Sequence, residues 1–537
     1  MRILRKVPGV LLLPLALGLA LPAAAQVAPF IEEAEPDSDA VCRPLPRIDE
    51  VSSRGRVLRD TLTMAPGRVR IDNTVMRRNI YNDRYNAPLY RLQPGDSVNI
   101  LVRNRMDSVA QAPPAKIAET NQHFHGYVVT PLPTAGDNVV PTLIPRGGEN
   151  RNAFGVPRFQ SQGLMWYHPH PHGSTSAQVN GGLAGAMIIG DLLQYFPDYR
   201  AAGLNERVMY IKDTKNDAGT TTVNILGNTC TRLTIRPGQM QLWRIANMSA
   251  NTFVNLKLRG QRFIVLAWDG NRVMRPMPED SLLVSPGSRV EAVVTGWRRP
   301  GPGADSVQLV SDPFRTSGTG TAKQIPLGWL VNQGVAVPET PKLPGVDAEI
   351  LDSIARLVDD PDVNRETIRF QFVNNKFMLN DLQYTDPGFL STAVPWEQTQ
   401  EWTLVNETNF LHTFHIHQTD FVVTHINGVE QPDSVHLDNV FLGIHQVNGV
   451  WVGDTVVVRF KYVDIAAGPF VYHCHVLGHE DGGMMANMCV YDPATGVQYC
   501  REWFPRGPEG IPQPHAHRVA PAAEPARAEG GGGDRRR

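Results

Sequence analysis

Residues 468–484 read GPFVYHCHVLGHEDGGM. Successive side chains of a β-strand point to opposite faces, so a strand ending here turns His473 and His475 to one side and Cys474 to the other. His479 and Met484 follow within ten residues of Cys474. One short segment thus offers imidazole nitrogens on one face and a thiol, a further imidazole and a thioether for the other. Its first six residues echo GLMWYH at 163–168, which also ends on a histidine.

That echo belongs to a wider repeat. Pro94-Gly95 leads a strand pattern ending at Asn104, and Pro237-Gly238 leads another, through residues 239–246, ending at Asn247. A third copy, without the Pro-Gly, runs from Glu397 to Asn406. The β-branched runs 97–102, 367–373 and 455–460 are bounded by Gly, Pro, Asn and Asp, and helical periodicity is weak outside Ala348 to Val358. The reading is all-β, with three related sandwich domains at 45–195, 200–343 and 345–505. Residues 506–537, rich in Pro, Ala, Gly and Arg, read as a disordered tail.

The histidines avoid the middle unit: none lies between Gly173 and Leu411. They gather as HFHG (123–126), HPHPHG (168–173), HTFHIH (412–417) and the HCH segment. The His-x-His pairs 123/125, 168/170, 415/417 and 473/475 supply eight candidate nitrogen ligands. His412 has the opposite parity to His415 and His417, as Cys474 has to its neighbours, so one set of strands serves two metal sites. Two imidazoles, one thiolate and a weak thioether (His412, Cys474, His479, Met484) are the ligand set of a blue-copper electron-transfer centre. Zinc accepts Cys and His but has no redox chemistry. His172, though in phase, is read as supporting the ligands rather than joining them. His425, His436 and His445 stand alone, His515 and His517 sit in the tail, and Met485, Met488, Trp166 and Tyr167 read as core.

With all four clusters in this order, the chain resembles the three-domain multicopper oxidases, in particular their bacterial laccase-like and copper-efflux branch. The resemblance implies three cupredoxin-like sandwiches and four coppers per chain. It assigns His412, Cys474, His479 and Met484 to a type 1 copper that accepts electrons from substrate, and His123 and His415 to type 2. It assigns His125, His168 and His475 to one type 3 copper, and His170, His417 and His473 to the other. It also gives Glu480 and Asp137 the task of feeding protons to dioxygen, with Asp137 at a longer spacing than in some members. A carboxylate beside buried copper can shuttle protons, or it can orient a ligand ring. The implied partners are dioxygen and an electron donor, either a small molecule such as a phenol or aromatic amine, or a cuprous, ferrous or manganous ion. Residues 345–470 hold only Met378, against a methionine-rich insert of the cuprous specialists. A copper-free scaffold of the same fold would have lost ligands, and a two-domain nitrite reductase would lack the middle unit.

The bulk composition agrees. A net charge of -2 over 537 residues provides no general field for nucleic acid, and no stretch is long and apolar enough for stable membrane insertion. Arg2, Arg5 and Lys6, the apolar run Val10 to Leu21 and Ala23 to Ala25 form a signal peptide over residues 1–25, so export to the periplasm or beyond is expected. A monomer is the expected state. Outside the histidine cluster, Cys42, Cys230, Cys489 and Cys500 can pair in three ways in an oxidising compartment. A bridge from Cys42 to a C-terminal cysteine, stapling the chain ends, is one expectation.

Overall fold

The computed structural model describes residues 42–107, 119–132, 136–137, 139–140, 142–298, 305–337, 347–432 and 434–507. The expected signal peptide, and His515 and His517, lie outside them. The described chain is built from strands paired into three two-sheet sandwiches. The first packs a four-stranded sheet containing Ser97–Asn104 on a five-stranded sheet containing His123–His125, Leu164–His168 and Gly185–Ile189. The middle one has two six-stranded sheets, and the third a seven-stranded and a five-stranded sheet.

The three copies of the repeat occupy one topological position. Ser97–Asn104, Met240–Asn247 and Thr399–Asn406 each lie parallel to the first strand of their own sheet. The shared terminal asparagine has a physical reason. Its Oδ1 accepts from the backbone N–H two residues on, at Met106, Ser249 and Thr408. Its Nδ2 donates to a carbonyl at Ile144, Val284 or Gly443. The side chain thus satisfies the backbone where the strand ends and the chain turns away.

Apolar side chains fill the space between sheets. Trp402, Phe414, Phe421, Val456 and Val458 are among the buried core of the third sandwich. Leu164, Trp166 and Ala186 of the first join Tyr210, Trp243 and Val290 of the middle in one continuous core, so these two sandwiches are fused along their sheets. The expected helix forms at Ala348–Val358, where the Asp347 carboxylate accepts from the N–H of Glu349 and Ile350.

The cysteines do not staple the chain ends. Arg43–Pro44 pairs in parallel with the strand Thr231–Ile235, Arg43 opposite Thr231. That register sets Cys42 beside Cys230, and the two are bridged with Cα atoms 4.7 Å apart. Cys489 and Cys500, eleven residues apart, pair with each other, joining the last strand to the short helix Gln498–Trp503. Ordered chain continues past residue 505: the Leu390 N–H donates to the Arg506 carbonyl at 2.7 Å.

Candidate metal centre

Two strand pairings build the site. Antiparallel to Gly468–Cys474 runs His412–Ile416, with Phe414 opposite Cys474 and His415 opposite His473. In the first sandwich His123 lies opposite His168. Parity then sorts the side chains as the spacing predicts. His412 Nδ1 and His479 Nδ1 stand 3.5 and 3.6 Å from Cys474 Sγ and 3.2 Å from each other. Thr408 Oγ1 donates to Asn406 Oδ1 at 2.7 Å, so its lone pair is free to accept from His412 Nε2, 2.9 Å away. This leaves the Nδ1 lone pair for Sγ's side of the ring. Met484 is buried in the same apolar cluster, and its carbonyl accepts from the Cys474 N–H at 3.0 Å.

Burial pushes the Cys474 thiol up to about 12 and the His479 imidazole down to about 4, and it holds His412 well below the ordinary histidine range. A thiolate in this setting needs a cation against it, and two neutral imidazole lone pairs already face the same point. The donor set fits copper.

The remaining eight imidazoles converge at the junction of the first and third sandwiches. His123 stacks on His417 and His125 on His415, with centroids 4.0 and 3.9 Å apart. His473 Nε2 lies 3.0 Å from His170 Nε2 and 3.3 Å from His417 Nε2. Within 4.8 Å of one another lie ligand atoms of His123, His125 and His168, of His170, His417 and His473, and of His123, His415 and His417. His475 faces the first of these groups, its ring 5.1 Å from His125 and 5.6 Å from His168. The middle sandwich comes close enough to His475 that a Cβ on Gly287, at φ +88°, would sit 2.8 Å from the ring.

Burial holds the pKa of all eight below the ordinary range, joined by the charge of neighbouring rings for all but His415, where Arg289 adds to it, so the lone pairs stay available. His123 Nε2, His125 Nδ1, His168 Nε2, His415 Nε2 and both nitrogens of His475 are buried with no protein hydrogen-bond partner. So many buried ring nitrogens without a partner would be costly unless metal ions complete the bare ones. The residues present fit a copper cluster.

Both expected carboxylates touch this cluster. Asp137 Oδ2 is 2.6 Å from His123 Nδ1 and accepts from Gln418 Nε2 at 3.0 Å, turning His123 Nε2 inward. Glu480 reaches two rings, with His170 Nδ1 at 3.6 Å and His473 Nδ1 at 3.3 Å, and accepts from Thr175 Oγ1 at 2.9 Å. Burial raises the pKa of both acids well above the ordinary carboxylate range. Three groups were not anticipated: Asp481, which accepts from the N–H groups of Thr175 and Ser176, and Asp438 with Arg289 beside His125.

Other histidines keep local company. His172 lies edge-on to Tyr384, His436 bonds Ser353, His445 bonds Asp454, and His425 contacts Thr424. Met488 packs in the third core, where Tyr462 Oη reaches its sulfur at 3.6 Å. Trp166 is core and also more: its indole stacks on His168 at 4.1 Å.

Comparison with known proteins bears directly on this geometry. Multicopper oxidase family models match residues 63–193, 166–302 and 359–494. A multicopper oxidase of Staphylococcus haemolyticus is 26% identical over 431 residues, 76% of this chain and 83% of that one. A laccase of Bacillus subtilis is 22% identical over 392 residues, 64% of this chain and 73% of that one. Among solved structures, a Campylobacter jejuni multicopper oxidase described as a metallo-oxidase superposes with TM-score 0.65 at 23% identity, covering 84% of this chain and 95% of that one. A laccase-like multicopper oxidase from Ochrobactrum sp., described as active towards lignin model compounds, gives TM-score 0.63 at 22% identity, covering 83% and 100%. With its three cupredoxin-like sandwiches, the chain belongs to the multicopper oxidase family, copper-dependent oxidoreductases that use dioxygen as electron acceptor.

Proposed function

We propose that the chain is a laccase-like oxidase of phenols and aromatic amines, exported, monomeric and holding four coppers. His412, Cys474, His479 and Met484 would hold the type 1 ion, and His123 and His415 type 2. His125, His168 and His475 would hold one type 3 ion, and His170, His417 and His473 the other. Bound copper supplies one-electron oxidation at the first site and four-electron reduction of dioxygen to water at the cluster. Cys474 joins the two sites covalently through His473 and His475. Glu480 and Asp137 hold protons beside the cluster, each on a named ligand ring, and position those rings. Export is supported by the N-terminal segment and by two disulfides, which persist in oxidising compartments.

The observation that carries the organic donor is an aromatic groove. Half-buried His479 is the outward member of its trio, with Phe377 stacked on it at 4.3 Å and Phe410 5.6 Å away. Phe410 continues into an open groove of about 550 Å³ shared with Phe372, Trp451, Glu407 and Asn409. An aromatic donor could stack here against Phe410, whose ring lies 5.6 Å from that of His479. A metal ion would need free oxygen or sulfur ligands, and the nearby Glu407 and Asp381 are both held by Gln371 and Arg369. The alternative is a metallo-oxidase for cuprous, ferrous or manganous ions; the Campylobacter structure is described as a metallo-oxidase. Oxygen uptake by copper-loaded protein with a phenol, ferrous, manganous and cuprous ions in parallel decides between them. Phenol should give the highest kcat/KM, and Phe410→Ala should raise its KM. A metal ion outpacing phenol, unaffected by Phe410→Ala, would sink the laccase reading.

A further inference from the structure

His125 and His415 stack face to face with planes 11° apart, yet they present different nitrogens to the cluster: the orphaned buried atoms are Nδ1 of His125 and Nε2 of His415. One residue lies behind both. The Asp438 carboxylate Oδ1 is 3.1 Å from His125 Nε2, and the Asp438 backbone carbonyl is 2.7 Å from His415 Nδ1. A carboxylate holds a proton on the nitrogen it faces and so leaves the other nitrogen bare, and a carbonyl does the same. Side chain and main chain of a single residue would therefore fix opposite tautomers in two stacked ligand rings.

Asp438 is itself clamped. Arg289 of the middle sandwich donates from Nη1 to Oδ1 and from Nη2 to Oδ2, both at 2.7 Å, the two-pronged geometry that orients a carboxylate most firmly. The same guanidinium donates from Nε to the Leu164 carbonyl of the first sandwich at 3.1 Å and from Nη2 to the Asp269 carbonyl of its own at 2.8 Å. Asn439 Nδ2 donates to Asp438 Oδ1 at 2.6 Å, and its 3.0 Å contact with His125 Nε2 is the competing arrangement, a donor that would leave Nε2 bare and that the tautomer measurement tells apart; the Asn439 N–H donates to Asp269 Oδ2 at 3.1 Å. His125, His415 and Asp438 lie close enough together to suggest a cation site of their own. Arg289 argues against that, because its guanidinium already covers both carboxylate oxygens. Arg289, Asp438 and Asp269 are all fully buried.

We propose that Asp438 is a positioning residue that sets the ligand nitrogens of His125 and His415, and that Arg289 is the means by which the ligand-free middle sandwich holds the cluster in shape. This rests on the ligand assignment given above. Its direct test is histidine-selective nitrogen-15 NMR of the copper-loaded chain, kept fully reduced so that every copper is cuprous and diamagnetic. His125→Ala and His415→Ala assign the two rings. Expected are a protonated Nε2 in His125 and a protonated Nδ1 in His415; the same tautomer in both overturns the proposal.

Two variants extend the test. Asp438→Asn, which changes the side chain facing His125 but keeps the carbonyl facing His415, should keep the blue absorption while the type 3 signature changes and trinuclear copper affinity falls about 10- to 100-fold against a chelator. Asp438→Leu/Arg289→Met, which removes the clamped pair together and leaves Asp269 the backbone N–H groups of residues 289 and 439 as donors, should show the same loss. A blue double variant with unaltered type 2 and type 3 signatures overturns the proposal. Absence of both signatures from the unaltered, blue protein would instead fail the ligand assignment, and the proposal with it.

Discussion

Cys474 serves two purposes because of what flanks it. Its thiol faces His412 and His479, whereas the residues on either side of it turn into the histidine cluster. Cys474→Ser removes the soft, charged donor at almost constant volume, so the fold should stand while the blue absorption and oxidase activity vanish and much of the trinuclear copper stays. Absorption and EPR spectra of the loaded variant check this, and a variant that stayed blue would refute the assignment. Met484 allows a finer test. A thioether beside a type 1 copper donates electron density and favours the oxidised ion, so Met484→Leu should raise the potential of the blue centre. The swap changes little volume in a buried position, and its cost in stability should stay under about 1.5 kcal/mol. Redox titration of the blue band reads the outcome; an unchanged or lower potential would mean that Met484 is not a donor to that copper.

At the level of elements, the strand His412–Ile416 shows how one segment serves two sites, since His412 and His415 differ in parity and face different clusters. His415→Ala should therefore leave a blue centre that substrate still reduces but dioxygen no longer reoxidises. Stopped-flow bleaching and recovery of the colour would show it, and normal recovery would mean that His415 is no part of the oxygen site. The five-residue helix Leu477–Asp481 makes a second link. Its Asp481 caps the helix Thr175–Gly181, whose own Ser174 makes no side-chain cap. Asp481→Ala should cost about 1 kcal/mol of stability by chemical denaturation. Such capping across sandwiches was not legible in the sequence, and the reason is distance: Asp481 and Thr175 are 306 residues apart, Asp438 and Arg289 149. Strand parity is local, repeating every second residue, so the ligand faces, the repeat and the helix at 348–358 could be read directly. Which carboxylate would meet which ring depends on how sandwiches dock, and no local pattern encodes it. The cysteines failed for the same cause, since Cys42 finds Cys230 only through the parallel register of Arg43 with Thr231.

On the scale of the whole molecule, the two candidate copper sites have different structural dependence. His412, Cys474, His479 and Met484 all belong to the third sandwich and lie within 73 residues of one another in sequence. The eight-histidine site takes half its rings from the first sandwich and half from the third, so it exists only while the two are docked. That docking is held by buried polar links: Thr175 to Glu480 and Asp481, Gln418 to Asp137, and Arg289 to Asp438. The disulfides do not contribute to it, because one lies between residues 42 and 230 and the other within the last residues of the third sandwich. Multidomain chains commonly depart from a single all-or-none transition, and interfaces between sandwiches give way before their cores. In rising urea, the type 2 EPR signal and oxygen uptake should therefore be lost at a lower concentration than the blue absorption. The intermediate would be a blue protein that a donor can bleach but air cannot recolour. Because Arg289 contacts all three sandwiches, Arg289→Met should widen the gap between the two midpoints by moving only the lower one. Coincident midpoints for colour, EPR signal and oxygen uptake would mean that the three sandwiches unfold as one unit, and that docking adds no separate weak point to the cluster.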